Sequence, residues 1–310
     1  MHLGRNINSG SELKRLIAVA VGLFCVAAGA GQSPDPFFGL VIGEEWTELD
    51  RAAHERLAAD PLDGIALHAL GRVSIDSKVG SEEMRAALLP QIEACLTARP
   101  VDAMCRLAYG QVMGAQLSKR GMLDALGSVG KVAEAFEAAV ATAPADYDAR
   151  ESLVTFYLRA PGIVGGSMRR AYKNAADYAK IDPDYARLLY ALIALEENDL
   201  SKAQAQLSAL PDNGFDPVLS HMIAKRWLAI GLAHFDAKEY DLARMALVRS
   251  RDQGAPSVAA SAHLGLGRIA QAEGRSSDAI EEFQAVLAFE TPTSKPAEEA
   301  RASLKQLSTN

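Results

Sequence analysis

From Trp46 onward, apolar residues recur three and four positions apart through one segment after another, with Pro- or Gly-rich breaks every 12 to 20 residues. The segments are rich in Ala, Leu, Glu, Arg and Gln, which favour helix. No stretch sustains the strict alternation of a half-buried strand, so the pattern predicts an all-α chain. Two N-terminal stretches stand apart. Leu16 to Ala30 is apolar on every face, follows Arg5, Lys14 and Arg15, and closes on Ala28-Gly29-Ala30. That basic, apolar, small-residue order marks residues 1–30 as an export leader. The run is shorter than the roughly 20 residues of a membrane span, which favours a cleaved leader over a retained anchor. Residues 31–45 place Pro34, Pro36, Gly39 and Gly43 around Phe37, Phe38, Leu40, Val41 and Ile42. This lead-in is expected to pack on the first helices and to form a short strand at most.

The helical segments repeat. His263-x-x-Leu266-Gly267-x-x-Ala270 is followed by Gly274, Ala279-x-x-x-Phe283 and Pro292. Trp227-x-x-Ile230-Gly231-x-x-His234 leads to Ala243-x-x-x-Leu247, and Arg187-x-x-Tyr190-Ala191-x-x-Ala194 leads to Ala203-x-x-x-Leu207. In all three units the small residue of the first helix stands twelve positions before the small residue of the second. Small residues let the two helices of a hairpin approach closely, and the Leu or Phe fills the gap between them. Upstream, the intervals from Gly71 to Leu88, Gly110 to Val132 and Val154 to Ala171 are 17, 22 and 17, so those units carry insertions between their two helices. From the later marks Ile92, Phe136 and Ala175 to the closing Pro100, Pro144 and Pro183 the distance is eight in all three. Insertions at one connection map to one edge of a stack, where function often resides.

Order and spacing resemble the tetratricopeptide repeat, W-x2-L-G-x2-Y, A-x3-F, P, across residues 46–292, most specifically in the last three units. The resemblance implies an all-α α-solenoid of stacked helix-turn-helix hairpins, with Trp46 to Asp60 as a lone second helix and residues 293–310 as a polar C-terminal capping helix. It also implies a non-catalytic protein-interaction scaffold with a concave groove lined by the first helix of each hairpin. The usual groove positions fall on Tyr185, Leu188, Leu192 and Leu195, then Lys225, Leu228, Leu232 and Phe235, then Ser261, Leu264, Arg268 and Gln271. The first two sets are largely apolar, which suits a helix or hydrophobic peptide. The stretch Tyr157 to Gly166 resembles an insertion of bacterial secreted proteins of this repeat class, and with the leader it sets the expectation of a periplasmic protein. An envelope-assembly component held through its inserted loops is the alternative.

Composition narrows the chemistry. Hydrophobic residues make up 49% and charged residues 23% of the 310, enough for a core. Net charge is −7, and −9 beyond the leader, which argues against a nucleic-acid partner. Pro161 to Ser167, before Arg169 and Arg170, lacks the Lys-Ser/Thr ending of a phosphate loop and reads as a rigid turn. His54, His68, His221, His234 and His263 form no metal-ligand pattern, and no G-x-S-x-G elbow is present, so neither cofactor, metal nor catalysis is expected. Cys95 and Cys105 stand five residues either side of Pro100, at matching heights on two antiparallel helices. In an oxidising compartment that geometry permits a disulfide; otherwise both are buried thiols.

Overall fold

The structure is a computed structural model that describes residues 36–76, 79–118, 122–210, 217–289 and 294–308. The export leader expected at residues 1–30 lies outside them. The described residues form fifteen α-helices and no strand. The helices are α1 (Phe38–Ile42), α2 (Trp46–Ala59), α3 (Gly64–Ile75), α4 (Glu82–Ala98), α5 (Ala103–Leu117), α6 (Met122–Thr142), α7 (Tyr147–Arg159) and α8 (Met168–Tyr178). They continue as α9 (Pro183–Glu196), α10 (Leu200–Ser208), α11 (Pro217–Asp236), α12 (Tyr240–Gln253), α13 (Pro256–Ala272), α14 (Ser276–Phe289) and α15 (Lys295–Leu307).

Local chemistry sets the helix starts. Asp63, Asp102, Asp146 and Asp182 cap α3, α5, α7 and α9, each carboxylate accepting an N–H from the first turn. Three of these follow the pattern Pro-x-Asp, in which proline interrupts the chain and the acid starts the next helix. In the three regular hairpins the turn contains a left-handed residue at one register: Asn198, Lys238 and Gly274. Glycine adopts that conformation freely, whereas a lysine does so at a cost.

Each odd-numbered helix from α3 packs against the even-numbered helix after it and against the next odd-numbered helix. That is the connectivity of stacked hairpins, with the odd helices as the A helices of an inner layer. The motif glycines do what their spacing implies. A Cβ on Gly231 would lie 2.6 Å from Leu247, and one on Gly267 the same distance from Phe283. One on Gly110 would lie 2.5 Å from Phe136, so the longest insertion leaves that contact intact.

The insertions differ in form. The five extra residues between α7 and α8 make a closed loop with a 3-10 turn at Gly162–Val164. The ten between Gly110 and Val132 are mostly helical, lengthening the start of α6 by about two turns, so this one is not an edge loop. The lead-in is likewise a correction: Phe38–Ile42 is helical, not a strand. A short apolar run satisfies either pattern, and here packing decides. α1 rests on α2 and also reaches α11, far along the stack. Phe37 lies under Arg56 and Phe38 under Arg72, guanidinium carbons 5.9 and 5.7 Å from the ring centres.

Candidate functional site

Where α1 meets α11, the A helices enclose a cavity of about 460 Å³ walled by residues of α1, α2, α3, α5, α7, α9 and α11. Its floor is charged. Asp148 of α7 is paired with Arg72 of α3, and His68 Nε2 lies 3.2 Å from the same carboxylate. Gln111 of α5 donates to Asp148 Oδ1 at 3.4 Å and to Ser152 Oγ at 3.2 Å. Burial works against the Asp148 carboxylate, but Arg72 and His68 together outweigh it and hold its pKa far below the usual carboxylate range. Glu151, one turn on, is paired with Arg226 of α11. Burial would strip Arg226 of its proton more readily, yet Glu151 and Tyr147 more than compensate and raise its pKa. These pairs tie A helices two hairpins apart, α3 to α7 and α7 to α11. Phe38, Trp46, Tyr147 and Tyr185 line the same cavity.

A second, more apolar cavity of about 860 Å³ adjoins the first and shares Ile75, Gln111, Asp148, Glu151 and Lys225 with it. Val129, Val132, Phe136, Phe156 and Val164 supply its hydrophobic wall, and Ser118, Thr155 and Arg159 its polar rim. Gly110 and Gly114 open the α5 side. The two cavities form one concave channel along α3 to α11.

The predicted groove lies partly elsewhere. Tyr185 and Lys225 do line the channel, Lys225 touching both cavities. Leu188 is 0% exposed and Leu192 8%, both inside the main apolar cluster with Ile223 and Trp227, so neither is open to a ligand. The cause is the close stacking of A helices permitted by Ala186, Ala191 and Ala194. Leu195 packs half-buried on that cluster, and Leu228, Leu232 and Phe235 on the next. At the far end α15 covers α13. Arg268 pairs with Glu299, Gln271 Nε2 donates to Gln306 at 3.4 Å, and Leu264 is buried with Ala300. Ser261 bonds back to Ser257 on its own helix. What sequence reasoning missed is the α3–α7 half of the channel, above all His68, Arg72, Gln111, Asp148 and Glu151.

The other candidate features have local roles. In the glycine loop the amides of Val164, Gly165, Gly166 and Ser167 bond to Pro161, Gly162, Pro161 and Tyr157 carbonyls, so they are not turned toward an anion. Ile163 at its tip is 78% exposed. Cys95 and Cys105 are joined as a disulfide, Cα atoms 6.1 Å apart. Asp102 beside them caps α5. His234 and His263 pair with Glu239 and Glu282 on neighbouring elements, each at 2.6 Å, and His54 sits on the exposed face of α2.

The architecture is an all-α solenoid of stacked helical hairpins. No protein-family model matches the chain, and no curated protein matches it. Among solved structures it is similar to a chain of the APC/C hetero-tetramer Cut9–Hcn1, with a TM-score of 0.48 and 14% identity over 86% of this chain. It spans about half of that chain, 47%. It is also similar to a tetratricopeptide repeat protein from Parabacteroides merdae, with a TM-score of 0.45 and 11% identity over 88% of this chain and 96% of the other. Among the described residues no helix is long and apolar enough to cross a membrane.

Proposed function

We propose that this protein is a non-catalytic interaction scaffold that takes an apolar peptide segment of a protein partner in its concave channel, with the α5–α7 cavity as the docking face. The observation that carries the reading is that cavity's chemistry: a wall of Val129, Val132, Phe136 and Phe156, glycines in place of side chains on α5, and a polar rim. Such a cleft suits a hydrophobic side chain presented on a helix or extended peptide. The bacterial periplasm belongs to the same proposal, supported by the leader-like order of residues 1–30 and by the Cys95–Cys105 bridge, which oxidising compartments favour. The test is site-specific photo-crosslinking in the expressing cell. A crosslinker at Ser118 or Thr155, on the rim, should capture one partner, while the same group at exposed Leu242 on α12 should not. Capture from Leu242 alone would refute channel binding.

The envelope-assembly reading rests on a different observation, the exposed Ile163 at the tip of a rigid loop. It requires Ile163→Asp to abolish a complex that substitutions at Thr155 leave intact.

A further inference from the structure

The wall of the first cavity carries more hydrogen-bonding capacity than the protein uses. Trp46 Nε1, His68 Nδ1, Gln111 Oε1 and His221 Nδ1 are all buried, all belong to residues lining this cavity, and have no partner among the described residues. His68 is 1% exposed, so bulk solvent does not serve it. Buried polar groups in folded proteins are paired almost without exception, and several unpaired ones around one cavity of this size point to an occupant.

The wall also describes the occupant. Its acidic groups are already answered: Asp148 by Arg72 and His68, Glu151 by Arg226, while Asp146 caps α7 and Asp76 accepts from the Val79 amide at 3.2 Å. Lys225 is exposed. What remains is neutral. Trp46 can only donate. Gln111 has committed its amide hydrogens to Asp148 and Ser152, so its oxygen accepts. Asp148 beside His68 Nε2 favours the proton there and leaves Nδ1 as an acceptor. Burial, with Lys225 nearby, lowers the His221 pKa to about 4 and keeps that ring neutral. Unmet donors, Trp46 Nε1 and the Tyr147 hydroxyl, thus stand beside unmet acceptors, which suits groups that both give and take hydrogen bonds, and Phe38, Trp46, Tyr147 and Tyr185 line the same space.

We propose that this chamber binds a small, uncharged, hydroxyl-rich molecule of mono- to disaccharide size, its O–H groups reaching His68, Gln111 and His221 and its carbon face lying on the aromatic rings. α1 forms the roof, since Phe38, Val41 and Ile42 line the same cavity. The site is separate in kind from the peptide cleft, and either can fail without the other.

Trp46 is one of two tryptophans, the other being Trp227, so Trp227→Phe leaves a single fluorophore in the chamber wall. The full-length protein carrying that change would be titrated with glucose, N-acetylglucosamine and trehalose, and with choline and inorganic phosphate as charged probes. The expected result is a saturable shift of Trp46 emission with at least one sugar, weakened tenfold or more by Gln111→Leu and unchanged by Leu242→Ser. Thermal shift of the wild-type protein with the same five probes gives an independent reading should Trp227→Phe perturb the fold. Saturation by choline or phosphate and by no sugar overturns the uncharged class. No response to any probe in either measurement overturns the proposal and leaves the wall to water.

Discussion

The close approach of paired helices at Gly110 makes a quantitative prediction. A methyl group there would lie 2.5, 2.7 and 2.9 Å from three atoms of the Phe136 ring. Carbon atoms in contact sit about 3.5–4.0 Å apart, so the ring would have to retreat by about 1 Å. The ring is buried against Phe156, 6.4 Å between ring centres, and can retreat only toward the second cavity, giving up that packing. Overpacking of this kind costs about 1–3 kcal/mol, against which alanine regains about 1 kcal/mol of helix propensity over glycine. Gly114, one turn along the same helix, is the internal control. Its added methyl would meet nothing nearer than Val132 at 3.6 Å, an ordinary contact. Gly114→Ala should therefore stabilise by about 0.5–1 kcal/mol and Gly110→Ala should destabilise by up to about 2 kcal/mol. Both variants carry the same propensity gain, so the gap of about 1–3 kcal/mol between them isolates the steric term. Urea denaturation followed by far-UV circular dichroism measures it, provided the slope is the same in both variants. If Gly110→Ala stabilises as much as Gly114→Ala, the helices are not in contact there and the reading of the motif glycines fails.

Three further outcomes follow from the channel and the turns. Asp148→Asn leaves Arg72 and His68 facing a neutral group and should cost about 2–4 kcal/mol at neutral pH, measured as a fall in urea midpoint. Acidification should destabilise the protein through two groups. The folded pKa of Asp148 lies below its unfolded value of about 3.9, so its contribution is complete above that value and is lost as pH falls through the acid range. His221 is depressed to about 4 against about 6.5 when unfolded, so its contribution is complete above about pH 6.5 and drains away toward pH 4. Urea midpoints should thus fall between pH 7 and pH 5, with His221→Gln flattening that interval; a flat wild-type profile would contradict the burial of this ring. At Lys238, where φ is 61°, Lys238→Gly should raise the thermal midpoint by the equivalent of about 0.5–1 kcal/mol. No change there would mean that the turn is unstrained.

The regular hairpins were legible because their key contacts are local. Gly231 with Leu247 and Gly267 with Phe283 are written sixteen residues apart, and the Gly110–Phe136 contact could be traced through its insertion because the flanking marks were kept. The channel chemistry had no such signature. Arg72 and Asp148 are 76 residues apart, and Glu151 and Arg226 are 75 apart. They meet because the stack curves back on itself, and no periodicity encodes that curvature. The groove positions on Leu188, Leu192 and Arg268 assumed an uncovered inner face. Alanine-rich A helices close over the first two, and α15 lies on the third.

The ion pairs that join α3 to α7 and α7 to α11 change how this solenoid should carry load. In a stack held by neighbour contacts alone, strain spreads evenly, as in a spring, and each hairpin is felt only by the next. Two cross-ties turn the stretch from α3 to α11 into a stiff collar. From α12 onward no tie of that span exists among the described residues, so the last hairpins form a compliant tail. Force applied to the ends should stretch that tail first, while damage at α7, the member common to both ties, should loosen the first hairpins and α11 together.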